Sequence, residues 1–156
     1  MSRADPARID VRPVTAADAD AWRPLFDGYA RFYGVDLAAA TAERVWGWLV
    51  DPGHRLEGLI AHDAGGAAVG IAHVEPLLRP LAGTEIGFLH DLYVDPAARG
   101  GGAADALFDA LAARARERGW PAIRWLTQEF NYRGRAFYDR YTGAKSDFVM
   151  YQWTLE

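Results

Sequence analysis

The sequence contains no cysteine among its 156 residues. A disulfide framework, a zinc–thiolate site, an iron–sulfur centre and a cysteine nucleophile are therefore excluded. Serine is almost as scarce, because Ser2 and Ser146 are the only two, and neither lies in the strand–turn–helix setting of a serine hydrolase nucleophile. The histidines never take the two-histidine helical spacing of a zinc protease. We therefore expect no metal.

The sequence also lacks a net positive charge and long apolar runs. The formal net charge is −4 and the isoelectric point is near 5.5, which disfavours nucleic-acid binding and favours a cationic partner. No apolar run reaches the roughly 20 residues of a membrane span, and the polar start Met1–Asp10 lacks a signal-peptide core. We expect a cytoplasmic protein that binds neither nucleic acid nor membranes.

What the sequence does have is apolar content, at 51% hydrophobic residues with 6 Trp, enough for one compact domain. We expect a polar tail over residues 1–8 and a single α/β domain over 9–156. Its predicted sheet is mixed, mostly antiparallel, and flanked by about four helices, with one parallel strand–helix–strand crossover. Hydrophobic periodicity predicts, in chain order, a strand at Ile9–Pro13, helices from Thr15 to Gly34 and from Thr41 to Asp51, strands at Leu56–His62, Ala67–Val74 and Glu85–Val94, a helix at Ala103–Arg118, a strand at Ala122–Thr127, a helix at Asn131–Tyr141 and a strand at Phe148–Leu155.

The turn between the predicted strand Glu85–Val94 and the Ala-rich helix Ala103–Arg118 carries the most specific motif of the sequence. Glycines at Gly100, Gly101 and Gly102 let a phosphate approach unpaired amides at the positive end of the helix, and Arg99 adds a fixed charge. The loop lacks the lysine of a nucleoside triphosphate loop, which makes a phosphotransferase the least favoured function. Asp105 occupies the last glycine position of a dinucleotide-binding motif, which disfavours that site too.

The pattern Arg-x-x-Gly-x-Ala at Arg99, Gly102 and Ala104 resembles the pyrophosphate loop of the GNAT acetyltransferases. Leu89–Val94 resembles the strand that precedes this loop, and Ala136–Ala144 is similar to the family motif A-x-x-F-Y-x-x-x-G-A/F with one inserted residue before Gly143. The helix Trp22–Tyr33 and Leu49–Pro52 are similar to the small fungal histone and polyamine acetyltransferases, with the diamine acetyltransferases as more distant relatives. The sequence departs from these patterns at Ala104, where glycine is commoner, and at His90, where the diamine enzymes usually carry Glu.

The resemblance implies transfer of an acetyl group from acetyl-CoA to a primary amine by direct attack, without a covalent enzyme intermediate. It implies a small amine or lysine-containing substrate, and a homodimer with the C-terminal strand as a contact. The residues implied in coenzyme binding are Leu92, Tyr93, Val94, Arg99, Gly100, Gly101, Gly102, Ala103, Ala104, Asn131 and Arg135. Asn131 is equally well placed to cap a helix. A coenzyme-binding sensor without chemistry is the alternative function.

Two proton transfers need residues, one to the departing thiolate and one from the amine. Tyr138 matches the family tyrosine that protonates the coenzyme sulfur, although a tyrosine on a short amphipathic helix also suits core packing. The candidate base is His90, whose imidazole can exchange a proton near neutral pH directly or through a water. The alternatives are Asp91, Glu129 and a chain of waters. Alternation along the strand places Asp91 on the face opposite His90 in a structural role, and Glu129 is an alternative holder of a cationic substrate.

The aromatic positions of the first helix are open to two interpretations. Tyr29 and Tyr33 follow Trp22 and Phe26 at helical spacing, which is typical of a buried face. Aromatic rings also attract ammonium groups, so Tyr29 and Tyr33 are candidate substrate contacts.

Overall fold

A five-stranded sheet in the order β1-β2-β3-β4-β5 forms the centre of the fold. The computed structural model describes residues 8–156, so most of the expected tail over 1–8 lies outside the described residues. Neighbouring strands are antiparallel except β4 and β5, which are parallel. The predicted mixed α/β sheet with one parallel crossover is confirmed. The strands are β1 Asp10–Pro13, β2 Glu57–His62, β3 Ala68–Arg79, β4 Thr84–Val94 and β5 Ile123–Trp125.

The described part of the chain contains four α-helices. They are α1 Ala19–Phe32, α2 Ala39–Val50, α3 Ala103–Arg118 and α4 Tyr132–Thr142. The bounds of α3 are those predicted, and the others differ by a few residues. Contacts divide the chain into two compact units, one ending at Trp125 and the other running from Leu126 to Glu156.

The start of α1 is fixed by a buried carboxylate. The Thr15 amide donates to Asp18 Oδ2 at 2.6 Å, and Arg12 donates to both Asp18 oxygens at 2.7 Å. These hydrogen bonds from Arg12 hold the pKa of Asp18 far below its usual value, although burial opposes the shift. Asp18 thus ties the entry of α1 to β1.

The helices α1 and α3 cover opposite faces of the sheet. Ile71 of β3 packs in one buried cluster with Trp22 and Phe26 of α1. Its neighbour Gly70 points the other way, where a Cβ added to the glycine would lie 3.1 Å from the Leu107 side chain of α3. Since successive residues of a strand face opposite sides, the sheet is sandwiched between α1 with α2 on one face and α3 on the other.

The predicted strand at Phe148–Leu155 is not formed. Residues 148–155 have no strand pairing in the described chain, and the apolar side chains there are 68–91% exposed. The apolar residues of this segment suit a strand, but a strand also needs the edge of a neighbouring strand to pair with its backbone groups. That requirement is not met within the described residues.

Candidate active site

A register shift between β3 and β4 brings the side chains of the candidate site together. His73 of β3 pairs with Asp91, but the next residue Val74 pairs with Leu89, so His90 is the extra residue of a bulge. His73 and Glu75 lie two residues apart on β3 and share one face, and they contact Asp91 and His90 respectively. The expectation that Asp91 faces away from His90 is therefore wrong, because the bulge turns two consecutive side chains toward the same face.

His90 forms the first of two carboxylate–imidazole pairs on this face. Its Nε2 lies 3.0 Å from Glu75 Oε1, and the two side chains are 40% and 28% exposed. The ring of Phe88 packs edge-on against the imidazole, with centroids 4.8 Å apart. The pair presents an accessible imidazole backed by a carboxylate.

Asp91 forms the second pair, in which the carboxylate and not the imidazole is the exposed partner. Its Oδ2 lies 2.7 Å from His73 Nδ1, and here the imidazole is fully buried while 23% of the carboxylate side chain is exposed. Burial is the strongest single influence and opposes ionisation. The combined interactions with His73, together with the Tyr29 hydroxyl and nearby His90, outweigh burial, so the pKa of Asp91 lies below its usual value.

The aromatic positions of α1 divide between the two interpretations. Trp22 and Phe26 are buried core residues. Tyr29 reaches the site, where its hydroxyl lies 3.4 Å from the His90 carbonyl oxygen and its ring packs edge-on against Tyr33. Burial and the Asp91 carboxylate raise the pKa of Tyr29 far above its usual value. The Tyr29 hydroxyl therefore keeps its proton and can donate a hydrogen bond.

The loop between β4 and α3 has the geometry expected of an anion site. A short turn at Pro96–Ala98 is capped by Asp95, which accepts from the Ala97 amide. Gly102 is the N-cap of α3 with φ of 87°, and no side chain caps this helix. A Cβ added at Gly100 or Gly102 would meet no atom within 4 Å. The open space and uncapped amides fit a phosphate group, and Arg99 is exposed beside them.

A cavity of about 650 Å³ lies between α1 and the segment from Tyr93 to Arg99. Arg31 and Asp20 line it from α1, and Arg99 lines it from the loop. Gly28 of α1 is required here, because a Cβ at this position would come within 2.8 Å of the Tyr93 ring. The cavity thus extends along the end of β4 to the loop between β4 and α3.

The edge of β4 that faces β5 is paired only in part. β5 pairs with Gly87, Phe88 and Leu89 and no further strand pairing continues along that edge in the described residues. Leu92, Tyr93 and Val94 follow beyond the last pair and are half-buried. This stretch, which the resemblance assigns to coenzyme binding, has backbone groups that an extended ligand can pair with.

The second unit holds the remaining predicted residues. Asn131 caps α4 by accepting from the Gly134 amide at 3.2 Å, so its predicted capping role is confirmed. Arg135 donates to the Glu129 carbonyl at 2.8 Å, and Glu129 is exposed. Tyr138 lies half-buried on α4 with its ring 5.7 Å from that of Phe137.

Sequence reasoning missed His73 and Glu75. His73 interrupts the apolar run Val69–Val74 of β3 and is fully buried. A lone polar residue within a buried strand requires a hydrogen-bond partner, and that was the available signal. Glu75 carries no comparable signal, because its partner is set by the bulge.

Among residues 8–156, no helix is both long and apolar enough to cross a membrane. No group of three or more His, Asp or Glu side chains among them is arranged to hold a metal ion.

Known proteins show the same architecture and sequence pattern. The acetyltransferase (GNAT) family matches residues 22–144. The D-amino-acid N-acetyltransferase HPA3 of Saccharomyces cerevisiae is 32% identical over 146 residues, which are 93% of this chain and 90% of that protein. An uncharacterized N-acetyltransferase of Bacillus subtilis, YhfO, is 29% identical over 92% of this chain and 95% of its own.

Solved structures agree with this assignment. A ribosomal-protein-alanine N-acetyltransferase from Brucella melitensis superimposes with a TM-score of 0.78 at 27% identity, covering 95% of this chain and 99% of that one. An aminoglycoside N-acetyltransferase in complex with CoA gives a TM-score of 0.81 with 95% of both chains covered, and its 16% identity shows the fold alone. The fold and the strand–loop–helix turn are those of an acyl-group transferase. The chain belongs to the acetyltransferase (GNAT) family.

Proposed function

We propose that the protein transfers the acetyl group of acetyl-CoA to a primary amine by direct attack, with β4 as the shared platform. The observation that supports this most directly is the continuity of that strand. It carries His90 and Asp91 at the bulge, runs past the unpaired edge at Leu92–Val94, and ends in the anion loop. A ligand with a phosphate at the loop and an extended arm along β4 would bring its reactive end to the bulge.

Acetyl-CoA, when bound, supplies the thioester whose acetyl carbon is attacked. The proposed coenzyme contacts in the first unit are the backbone of Leu92, Tyr93 and Val94 and the loop from Arg99 to Ala104. Asn131 and Arg135 of the second unit stay proposed contacts, on the family motif alone. The C–N bond forms as the C–S bond breaks.

His90 is the proposed base. Its imidazole is accessible, and Glu75 on its Nε2 stabilises the positive charge it gains when it takes the proton of the amine. Asp91 is less suited to that task, because a carboxylate whose pKa lies below its usual value is a weak proton acceptor. Tyr138 is the proposed donor to the leaving thiolate, on its match to the family motif.

The acceptor is proposed to be a protonated amine, as in a polyamine, an amino acid or a lysine side chain. Two carboxylates, Glu75 and Asp91, lie on the face that carries His90, with Tyr29 beside them. Carboxylates and aromatic rings both attract ammonium groups. Glu129 stays a proposed alternative contact, and Tyr33 is proposed to line the same site next to Tyr29.

A thiol-release assay with acetyl-CoA tests the function. The panel should contain polyamines, D- and L-amino acids, aminoglycosides and lysine peptides. We expect turnover with at least one amine and none with an alcohol of matched size. Coenzyme binding by calorimetry without turnover on any amine would instead favour the sensor.

We also propose a homodimer formed through the C-terminal segment, residues 148–155. Its apolar side chains are 68–91% exposed, namely the run from Phe148 to Tyr151 with Trp153 and Leu155. An apolar extended segment of this kind pairs readily with another edge. A second copy of the chain is the occupant we propose, because it brings an equal segment related by symmetry.

A further inference from the structure

A buried hydrogen-bonded chain lies directly beneath Asp91. Trp22 Nε1 of α1 donates to His73 Nε2 at 3.0 Å, and His73 Nδ1 lies 2.7 Å from Asp91 Oδ2. Trp22 is 1% exposed and His73 is 0% exposed. The chain therefore runs from the core to a carboxylate that reaches the surface of the site.

The partners of His73 fix which of its ring nitrogens carries the proton. An indole N–H can only donate, so His73 Nε2 must be an acceptor and carries no hydrogen. The single proton of the neutral ring is then on Nδ1, where it is donated to Asp91. Protonating the ring would place a second N–H against the Trp22 N–H in a buried space. Trp22 thus locks His73 as the neutral Nδ1–H tautomer, with no lone pair free to act as a base.

The surroundings of Asp91 stabilise its negative charge. The titratable groups that face it or its neighbours come from three elements: His73 and Glu75 of β3, Tyr29 and Tyr33 of α1, and His90 and Tyr93 of β4. His73 Nδ1 donates to the Asp91 carboxylate at 2.7 Å, and the Tyr29 hydroxyl lies beside the same carboxylate. Asp91 is therefore a persistent anion beside the accessible imidazole of His90.

We propose that His73 is a positioning residue that, locked by Trp22, orients the Asp91 carboxylate as the anionic anchor for the ammonium group of the acceptor. This inference rests on the proposed function, because it divides that site between two carboxylate–imidazole pairs. The Asp91 pair holds the cation, and the His90 pair takes its proton. The chemical class it selects is an amine that arrives protonated.

Spectroscopy of the coenzyme-free protein tests the positioning directly. The ring nitrogens of His73 should show the Nδ1–H tautomer, because Nε2 accepts from the Trp22 indole. The Asp91 carboxyl carbon should titrate below the usual range for aspartate in the parent. In His73→Leu, which removes the donor and keeps an apolar core, it should titrate at higher pH. His73→Asn keeps an N–H near the Nδ1 position and should restore the parental titration.

Trp22→Phe supplies a second variant that keeps an aromatic ring in the core. With the indole N–H gone, nothing fixes His73 Nε2 as an acceptor, so the Nδ1–H tautomer should no longer be the only form observed. An Nε2–H tautomer in the parent, or an Asp91 titration that His73→Leu leaves unmoved, would overturn the proposal.

Kinetics with the best amine of the panel test the anchoring role. Asp91→Asn should raise KM for the amine by roughly 10–100-fold, the range for losing a charge-assisted hydrogen bond, with a smaller effect on kcat. His73→Leu should raise KM increasingly as the pH is lowered, and His73→Asn should not. Unchanged KM in Asp91→Asn, or a loss of kcat with no pH dependence in His73→Leu, would make the chain merely structural. Absence of turnover in the parent would count against the proposed function and leave the spectroscopic test of His73 decisive.

Discussion

At the residue scale, the site consists of two carboxylate–imidazole pairs with opposite exposure. In one pair the imidazole of His90 is accessible, and in the other the carboxylate of Asp91 is. An accessible imidazole suits proton exchange near neutrality, whereas a stabilised carboxylate suits binding a cation. The same two residue types can therefore serve two roles, because a different partner is buried in each pair.

His90→Gln tests the base. A histidine base works only when neutral, so kcat/KM of the parent should rise with pH along a low-pH limb and again where the amine deprotonates. Glutamine keeps a hydrogen-bonding group but cannot take the proton, so the low-pH limb should vanish and the rate should fall. His62→Gln, at the end of β2, is the control and should keep both limbs. A parental pH profile in His90→Gln would exclude His90 as the base.

Tyr138→Phe tests the acid. Removing the hydroxyl keeps the ring, so coenzyme affinity by calorimetry should barely change. Turnover should fall by about 10²–10⁴-fold, the usual range for general acid–base catalysis. Tyr141→Phe on the same helix is the matched control. If both variants turn over equally, the Tyr138 hydroxyl has no catalytic role.

At the element scale, the junction of β4 and α3 is the proposed coenzyme site. A side chain at Gly102 would project into the open space above the uncapped α3 amides, so Gly102→Glu should abolish acetyl-CoA binding while the protein stays folded. Gly119→Glu is matched in charge and backbone strain, since Gly119 caps the other end of α3 with φ of 69°. Calorimetry should show loss of binding only in Gly102→Glu. Equal affinities in two folded variants would remove the loop from the site.

The junction of β1 and α1 carries an acid-sensitive contact. Because the pKa of Asp18 is lower in the folded chain than the usual value near 3.9, the Arg12 pair is fully stabilising above about pH 4. Its contribution is lost as the pH falls below that value toward the folded-state pKa. Asp18→Asn should therefore cost about 1–3 kcal/mol of unfolding free energy at pH 7 and less in acid. Urea unfolding at several pH values measures this, with exposed Asp36→Asn as the control. A cost independent of pH would show that the charge of Asp18 is not what stabilises α1.

The elements differ in how far the sequence predicts them. The bounds of α3 follow from its Ala-rich composition and from Gly102 and Gly119 at its ends, all of which are local signals. The pattern predicted that β3 ends at Val74, but the strand runs on to Arg79 because β4 pairs with it that far. Pro76 is tolerated there, since β2 pairs with β3 only as far as Val74 and leaves that edge free of a ladder. The bulge at His90 and its contact with Glu75 depend on the register of two strands. Neither strand encodes that register alone, so the candidate site was predicted only in part.

At the scale of the whole molecule, the face of the sheet under α1 carries both the proposed amine site and part of the hydrophobic core. Trp22 belongs to the buried cluster that attaches α1 to β3, and it also donates to His73. The packing that holds α1 on the sheet therefore also sets the orientation of Asp91. Core substitutions along this part of α1 should alter amine binding as well as stability, which couples the fold to its proposed substrate.

The C-terminal segment bears on the molecule's assembly. Its apolar side chains are exposed, so pairing with a second copy would bury part of their surface and complete the backbone hydrogen bonds of a strand. The double variant Tyr151→Asp and Trp153→Asp puts two charges on that apolar face and should convert a dimer to a monomer in light scattering. Leu81→Asp, at a fully exposed leucine in the turn between β3 and β4, adds the same kind of charge elsewhere and should leave the mass unchanged. A parent that is monomeric at all concentrations, or a double variant that stays dimeric, would exclude this segment as the interface.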